Sequence, residues 1–208
     1  MRIKVCGMSR PDNIRDVGSL DIDYMGFIFY PHSPRYCGDI LQKTAVDSLP
    51  KHIVPVAVTV NMQEYEIFSL AEQYGFTVFQ LHGDETPETC RNLRKRGFTV
   101  IKALGIRSAD DIERAAAYSG DVDYFLFDTA TAARGGSGMR FDWKMLAGYS
   151  LPEKFFLSGG IAAEAADEIA AFRHDAFVGV DLNSRFETAP GIKDVKVLTD
   201  FIKILRGL

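Results

Sequence analysis

The chain has 208 residues, of which 47% are hydrophobic and 25% are charged, and its formal net charge is -4. This is the composition of an ordinary globular protein with enough residues for one large domain or two small ones. The charge balance supplies no basic stripe for nucleic acid, and no apolar run reaches the roughly 18 residues of a membrane helix. Because the N-terminus also lacks the pattern of a signal peptide, we expect a cytoplasmic protein that binds neither nucleic acid nor membrane.

The cysteines and histidines form no recognisable disulfide or metal pattern. Cys6, Cys37 and Cys90 include no CxxC pair, and in a reducing cytosol they should remain free thiols. The four histidines are scattered along the chain without the spacing of zinc ligands. The sequence therefore predicts no metal site, and a cysteine that matters should act as a nucleophile, as a base or through packing.

Apolar runs of strand character alternate with segments of helical period along the whole chain. The strand-like runs cover residues 3–8, 24–30, 52–60, 77–83, 99–106, 124–129, 155–160 and 177–184. Several of the segments between them end in glycine, as helix C-termini often do. Regular alternation of near-continuous apolar strands with helices predicts a parallel sheet that is buried on both faces.

Eight strand–helix units favour a closed (β/α)8 barrel, although an open doubly wound sheet has the same local signature. The glycine fingerprint GxGxxG, which such an open sheet often carries after its first strand, is absent. No linker and no shift in composition divides the chain. We therefore predict an α/β fold made of one (β/α)8 TIM barrel that spans residues 1–208.

The active site of such a barrel lies at the carboxyl ends of its strands. Polar side chains inside apolar runs are costly when they are buried without partners, so a group of them at this end indicates a site. The candidates that follow the predicted strands are Cys6, Arg35, Asn61, His82, Asp84, Asp128, Gly159, Gly160, Asp181, Asn183 and Ser184.

Two of these loops match a recurrent phosphate site of (β/α)8 barrels, which is formed after strands 7 and 8. Gly159 and Gly160 follow strand 7, and Asn183 and Ser184 follow strand 8. Backbone N–H groups at glycine can approach an anion closely, although glycine also merely permits tight turns. A second glycine-rich stretch, residues 133–138, is either a mobile lid or a plain solvated connection.

Several charged side chains admit more than one role. Asp128 ends an apolar strand, where it could act as a proton donor or cap the following turn. Arg35 could bind a carboxylate or a phosphate with its planar fork, although a surface arginine is the ordinary expectation. His82 is an acid, a base or a hydrogen-bonded structural residue, of which the last is favoured. Lys4 and Lys102 lie within strands, which suits a Schiff base or, more often, a paired structural lysine.

Longer motifs occur in a fixed order along the chain. They are K-V-C-G-M at strand 1, G-F-I-F-Y-P-H-S-P-R-Y after strand 2, Q-L-H-G-D-E at strand 4, F-D-T and G-G-S-G-M-R-F-D-W at and after strand 6, S-G-G-I at strand 7, and G-V-D-L-N-S-R-F-E…P-G-I-K-D at the end. Together they resemble the phosphoribosylanthranilate isomerases of tryptophan biosynthesis. Each piece alone is modest, but the set in this order is highly specific.

The resemblance implies a (β/α)8 enzyme without cofactor or metal that converts N-(5-phospho-β-D-ribosyl)anthranilate into 1-(2-carboxyphenylamino)-1-deoxyribulose 5-phosphate. It implies that Cys6 is the base that removes the C2 proton and that Asp128 is the acid that protonates the ring oxygen. Arg35 is then placed near the anthranilate carboxylate. We assign the remaining substrate-binding positions to His82, Gly159, Gly160, Asp181, Asn183 and Ser184. Because family members occur as monomers and, less often, as dimers, we expect a monomer or a homodimer.

The chain departs from the usual family pattern at strand 8. It reads D-L-N-S-R-F-E where D-[VL]-S-S-G-V-E is usual. Arg185 in place of glycine either excludes a backbone conformation that glycine takes easily or adds a cation beside the phosphate, and we favour the cation.

Two other interpretations stay open. One is a sister phosphate-binding barrel, such as indole-glycerol-phosphate synthase or a pentose-phosphate epimerase. The first would carry extra lysine and glutamate residues at its strand ends and the second a set of metal-binding side chains, and neither set occurs in full. The other interpretation is a barrel that binds a phosphorylated ligand without catalysis, in which Cys6 and Asp128 would have no purpose.

Overall fold

The computed structural model describes residues 1–129 and 141–208 of the chain. Within these residues, eight parallel strands follow one another around a closed barrel. They are β1 (Arg2–Val5), β2 (Tyr24–Ile28), β3 (Val54–Thr59), β4 (Val78–Leu81), β5 (Thr99–Ile106), β6 (Tyr124–Thr129), β7 (Lys154–Leu157) and β8 (Phe177–Leu182). The ladder between β1 and β8 closes the barrel, with Arg2 opposite Gly179 and Val5 opposite Leu182. The predicted (β/α)8 barrel is therefore confirmed.

Helices lie between the strands on the outside of the barrel. The α-helices are α1 (Pro11–Gly18), α2 (Lys43–Asp47), α3 (Glu64–Tyr74), α4 (Pro87–Lys95), α5 (Ala109–Glu113), α6 (Ala166–Ala171) and α7 (Val195–Arg206). Short 3-10 helices cover Arg114–Tyr118, Trp143–Gly148, Ala163–Ala165 and Ser184–Phe186. No helix in the described ranges combines the length and the apolar character that crossing a membrane requires.

The sequence explains where individual helices begin and end. Thr86 precedes α4 and accepts a hydrogen bond from the Thr89 N–H at 3.2 Å, while Pro87 occupies the first turn. Proline is favoured there because the N–H that it lacks would have no helical partner. Helix α3 ends at Tyr74 and is followed by Gly75, whose φ of 79° is a left-handed conformation that glycine adopts without strain.

Six of the eight strands end earlier than the sequence predicts, four of them by one or two residues and two of them, β1 and β7, by more. β1 and β7 each end three residues early, at Val5 and Leu157. The residues that follow include Gly7 (φ 80°), Gly159 (φ 81°) and Gly160 (φ 66°). A positive φ is incompatible with a strand, so the chain leaves the sheet where the polar loops begin.

A short antiparallel hairpin follows β8, and the sequence analysis does not predict it. Its strands are β9 (Glu187–Ala189) and β10 (Ile192–Lys193). Ser9, in the loop after β1, donates a hydrogen bond to the Gly191 carbonyl at 3.2 Å. The hairpin therefore lies against the first loop of the barrel, and it brings two charged side chains to the barrel mouth.

The interior of the barrel is apolar in its middle and polar at its amino end. The apolar layers are formed by Val56, Val58, Val78, Ile101, Ala103, Leu126 and Phe156. At the amino end, Arg2 donates hydrogen bonds to the hydroxyls of Tyr24 and Tyr124 at 2.7 and 2.8 Å. These three side chains fill the bottom of the barrel, and a larger apolar layer fills the space between the strands and the helices.

Candidate active site

A pocket opens at the carboxyl ends of the strands, where the sequence predicts the site. All the residues assigned to catalysis or substrate binding line it, namely Cys6, Arg35, His82, Asp128, Gly159, Gly160, Asp181, Asn183 and Ser184. Asn61 and Asp84 line a separate groove after β3 and β4, where the Asp84 N–H donates to Asn61 Oδ1 at 2.6 Å. The prediction that these two residues share one site with the others is therefore wrong.

Cys6 follows β1 and reaches the pocket from a buried position, with 2% of its surface exposed. All three cysteines are free, as predicted. The pKa of the Cys6 thiol is raised, because burial outweighs the charge and hydrogen bonding of Lys4, which act to lower it. Lys4 is fully buried, and its ammonium lies 2.8 Å from Asp181 Oδ1. The favoured prediction of a paired lysine is therefore confirmed at this position.

Asp128 reaches the same pocket from the end of β6. Its Oδ1 accepts a hydrogen bond from the Thr129 N–H at 2.8 Å, and its Oδ2 lies 3.3 Å from His82 Nε2. On the other side of the imidazole, Gln80 Nε2 lies 3.2 Å from His82 Nδ1. An amide nitrogen can only donate, so with the Gln80 amide in this orientation Nδ1 accepts and Nε2 carries the His82 proton toward Asp128. His82 is thus the hydrogen-bonded residue that the sequence favours.

Arg35 is a largely buried side chain, and the ordinary expectation of a surface arginine is wrong. Its side chain is 11% exposed, and its Nε and Nη2 donate to Glu187 Oε1 and Oε2 at 2.9 and 2.7 Å. Glu187 also accepts from Lys193 Nζ at 2.6 Å. Lys193 in turn donates to Asn183 Oδ1 at 2.7 Å. The hairpin therefore joins Arg35 and the loop after β8 in one network.

The loop after β7 requires glycine for steric reasons. At Gly159 a Cβ atom would overlap the Thr129 nitrogen and would lie 2.6 Å from Asp128 Oδ1. The positive φ of this residue is also one that other side chains rarely adopt. A side chain at this position would therefore displace Asp128 as well as narrow the pocket.

Two predicted features of the site, the cation at Arg185 and the glycine-rich stretch 133–138, are not part of the described pocket. Arg185 is exposed and is not one of the residues that line the pocket. Its φ is not positive, so neither a cation in the pocket nor a glycine-only backbone describes this position. The glycine-rich stretch 133–138 lies outside the described residues.

Sequence reasoning missed three residues of the site. Gln80 is 1% exposed in the middle of an apolar strand, and a buried polar side chain of this kind is a signal that could have found it. Glu187 and Lys193 lie in the motif E…P-G-I-K-D, but the contact of Glu187 with Arg35 joins residues 152 positions apart. Local patterns do not reveal such a contact.

The fold and the pocket together define a class of protein. A closed (β/α)8 barrel carries its active site at the open carboxyl end. Here that end combines a thiol, carboxyl groups and the guanidinium group of Arg35 in one pocket, which are the groups that acid–base chemistry on a small anionic molecule requires. The chain is thus a (β/α)8-barrel protein whose pocket carries the side chains of an enzyme active site.

Known proteins share the sequence of this chain over nearly its whole length. A family model described as N-(5'phosphoribosyl)anthranilate (PRA) isomerase matches residues 3–204. An N-(5'-phosphoribosyl)anthranilate isomerase from Parabacteroides distasonis is 47% identical over 98% of this chain and 92% of its own. One from Phocaeicola vulgatus is 42% identical over 99% of this chain and 98% of its own. The chain belongs to the N-(5'-phosphoribosyl)anthranilate isomerase family, and the resemblance seen in its motifs is confirmed.

Solved structures agree with this assignment. The phosphoribosyl anthranilate isomerase of Thermotoga maritima is similar with a TM-score of 0.89 and 34% identity, and the match covers 100% of both chains. A phosphoribosyl anthranilate isomerase in complex with reduced 1-(o-carboxyphenylamino)-1-deoxyribulose 5-phosphate is similar with a TM-score of 0.87 and 32% identity, again over 100% of both chains.

Proposed function

We propose that the chain catalyses the rearrangement of N-(5-phospho-β-D-ribosyl)anthranilate to 1-(2-carboxyphenylamino)-1-deoxy-D-ribulose 5-phosphate with Cys6 as base and Asp128 as acid. This is an aldose–ketose isomerisation of tryptophan biosynthesis, and the family of the chain supports it. One observation carries the assignment of the two residues. Their side chains reach a single pocket from β1 and β6, which lie far apart around the barrel.

The reaction needs two proton transfers. Asp128, in its protonated form, donates to the furanose ring oxygen, and the bond between that oxygen and C1 breaks to give an open-chain Schiff base. The Cys6 thiolate then removes the proton from C2, which leaves an enolamine and a neutral thiol. Tautomerisation of the enolamine to the ketone completes the isomerisation, so no electron donor or acceptor takes part.

The remaining pocket residues position the substrate. Arg35, held by Glu187, faces the anthranilate carboxylate with the guanidinium edge that Glu187 leaves available. The phosphate lies at the loops after β7 and β8, against Gly159, Gly160, Asn183 and Ser184. His82 contributes through its contact with Asp128.

The protein acts on a phosphorylated small molecule as one barrel domain over residues 1–208. We place it in the cytoplasm, without a nucleic-acid or membrane partner and without cofactor or metal, as a monomer or a homodimer. A solved relative from Thermotoga maritima is described as dimeric, and this supports the second oligomeric state.

The test is turnover of freshly prepared substrate, followed by the loss of anthranilate fluorescence and by chromatography of the product. We expect a rate proportional to the protein concentration and a product that matches the deoxyribulose phosphate. A phosphate-binding barrel without catalysis would bind the reduced product analogue but leave the substrate at its spontaneous rate. That outcome would contradict the proposal.

A further inference from the structure

Lys4 and Cys6 lie two positions apart at the end of β1 and face the same side. Lys4 is 0% exposed and Cys6 is 2% exposed. Side chains two positions apart on a strand share one face, and here that face is the interior of the barrel. The ammonium group and the thiol are therefore enclosed together.

Gly26 on β2 shows how close the two groups are. A Cβ atom at this position would lie 2.7 Å from Cys6 Sγ and 3.0 Å from Lys4 Nζ. The sulfur and the ammonium nitrogen thus share the gap that the missing side chain leaves. Because the gap is shielded from water, the charge of Lys4 acts on the sulfur with little screening.

The ammonium group of Lys4 has hydrogen-bonding capacity beyond its ion pair. An ammonium carries three donors, and Asp181 Oδ1 accepts one of them at 2.8 Å. The other carboxylate oxygen of Asp181 accepts from Ser158 Oγ at 3.3 Å, which fixes the carboxylate and hence the lysine. The pKa of Lys4 is raised above its usual value despite burial, because Asp181 and Cys6 favour the charged form.

Other charged groups face the thiol from neighbouring elements. Lys193 on β10 also acts to lower the pKa of Cys6, and Asp181 on β8 acts to raise it. The Lys193 ammonium donates hydrogen bonds to Glu187 and Asn183, and burial lowers its pKa. Across the pocket lie three further groups, namely Arg35, His82 and Asp128. Lys4 is therefore the cation best placed to support a negative sulfur.

We propose that Lys4 is a positioning residue that stabilises the thiolate of Cys6, and that Asp181 holds the Lys4 ammonium in place instead of contacting the phosphate. The Lys4 ammonium keeps its protons throughout, and the sulfur takes the C2 proton to become a thiol. The use of the thiolate in catalysis rests on the proposed function. Its ionisation is a property of the free protein and can be measured without substrate.

A second buried ion pair provides a matched control. Lys102 is 1% exposed, and its ammonium donates to Glu85 Oε2, the Gly83 carbonyl and the Leu81 carbonyl at 2.7, 2.8 and 3.3 Å. All three donors of this lysine are therefore satisfied by protein oxygens. Loss of Lys102 should damage the barrel as loss of Lys4 does, without acting on Cys6.

The experiment is a pH titration of the cysteine side chains by NMR, with 13C at Cβ, in the free protein up to pH 10.5. Cys37 and Cys90 serve as internal references, because burial raises the pKa of each to about 12. The variants are Lys4→Gln, which keeps a donor for Asp181 but loses the charge, Asp181→Asn and Lys102→Gln. Cys6→Ser assigns the signal.

We expect opposite shifts from the two members of the ion pair. Lys4→Gln should raise the pKa of Cys6 by about one unit or more, which is a tenfold smaller thiolate fraction at a fixed pH below that pKa. Asp181→Asn should lower it, since the amide oxygen still accepts a hydrogen bond from the Lys4 ammonium while a negative charge near the sulfur is removed. Lys102→Gln should leave it unchanged.

Several results would overturn the inference. Equal shifts in Lys4→Gln and Lys102→Gln would show structural damage, and a rise in Asp181→Asn would show that charge is not the cause. A wild-type Cys6 that does not titrate by pH 10.5 would show that its thiolate is not stabilised. If Lys4→Gln does not fold, the direction of the shift in Asp181→Asn decides. Absence of isomerase activity in the wild-type protein, with the expected shifts intact, would instead count against the proposed function.

Discussion

Two cysteines of this barrel lie near a buried lysine that is paired with a carboxylate, and they differ in almost every other respect. Cys6 lies beside Lys4, which pairs with Asp181 at the open end of the barrel. Cys90, on helix α4, is influenced by Lys102 and Glu85, and it packs in the layer between the helices and the strands.

The difference shows that position in the barrel, and not residue type, decides which thiol can do chemistry. Burial raises the pKa of Cys90 to about 12, and the three donors of Lys102 are all directed to protein oxygens. Cys6 lines the pocket and shares its gap with Lys4. The Lys102–Glu85 pair is a structural ion pair, whereas the Lys4–Asp181 pair is a structural ion pair that lies beside a reactive thiol.

The largest expected effect separates the two thiols directly. Cys6→Ser should lower kcat by about 10⁴-fold, because a serine hydroxyl is a far weaker base and general base catalysis contributes up to this factor. Cys90→Ser should leave kcat unchanged. Steady-state kinetics of the two variants, each checked for folding by circular dichroism, measures the contrast. Equal losses of kcat in Cys6→Ser and Cys90→Ser would contradict the difference between the two thiols.

A pair of carboxylates extends the comparison. Asp128→Asn should lower kcat by about 10³-fold, since the amide oxygen can still accept from the Thr129 N–H but the side chain has no acidic proton to give. Glu85→Gln, which alters the buried Lys102–Glu85 ion pair, should affect stability alone. A Glu85→Gln variant that is folded and yet as slow as Asp128→Asn would contradict the separation of the two groups.

Loss of the structural lysine should be a stability effect. Lys102→Met leaves Glu85 buried with an unpaired charge, which costs about 3 kcal/mol of unfolding free energy. Urea unfolding monitored by fluorescence measures this cost, and kcat per folded molecule should not change. The control is Lys43→Met, because the pair of Lys43 with Asp47 is about half exposed and exposed pairs contribute little.

The network around Glu187 should influence binding more than turnover. Glu187→Gln removes the charge that orients Arg35, so KM should rise about tenfold, which corresponds to one weakened hydrogen bond to a charged group, while kcat stays nearly constant. Asp121→Asn, whose partner Arg91 lies away from the pocket, should alter neither constant. A fall in kcat with KM unchanged would place Glu187 in the chemical step.

The smallest expected effect is a pH dependence of stability. Burial acts to raise the pKa of Glu187, but Arg35 and Lys193 hold it below its usual value of 4.5. A carboxyl group with a lowered pKa stabilises the folded state above its unfolded pKa, and this contribution is lost as the pH falls through the folded pKa. The Tm difference between wild type and Glu187→Gln should therefore be larger at pH 6 than at pH 3. A difference that grows toward acid would reverse the sign and contradict the ion pair.

The barrel and most of the pocket follow from the sequence alone. Strand ends are local features, so the rule that barrel sites form there brings Cys6 and Asp128 into one pocket before any contact is known. The ion pairs of Arg35 with Glu187 and of Lys4 with Asp181 join distant parts of the chain. Such contacts depend on the closed barrel and on the hairpin after β8, and no local period encodes them.

The most direct test of the contrast between the two thiols is alkylation of the free enzyme by iodoacetamide, followed in parallel by activity and by peptide mapping. The account predicts that activity falls in proportion to the label on Cys6, that the reduced product analogue slows both changes, and that Cys90 stays unlabelled while the protein is folded. Full labelling of Cys6 with activity retained, or loss of activity that follows the label on Cys90, would contradict it.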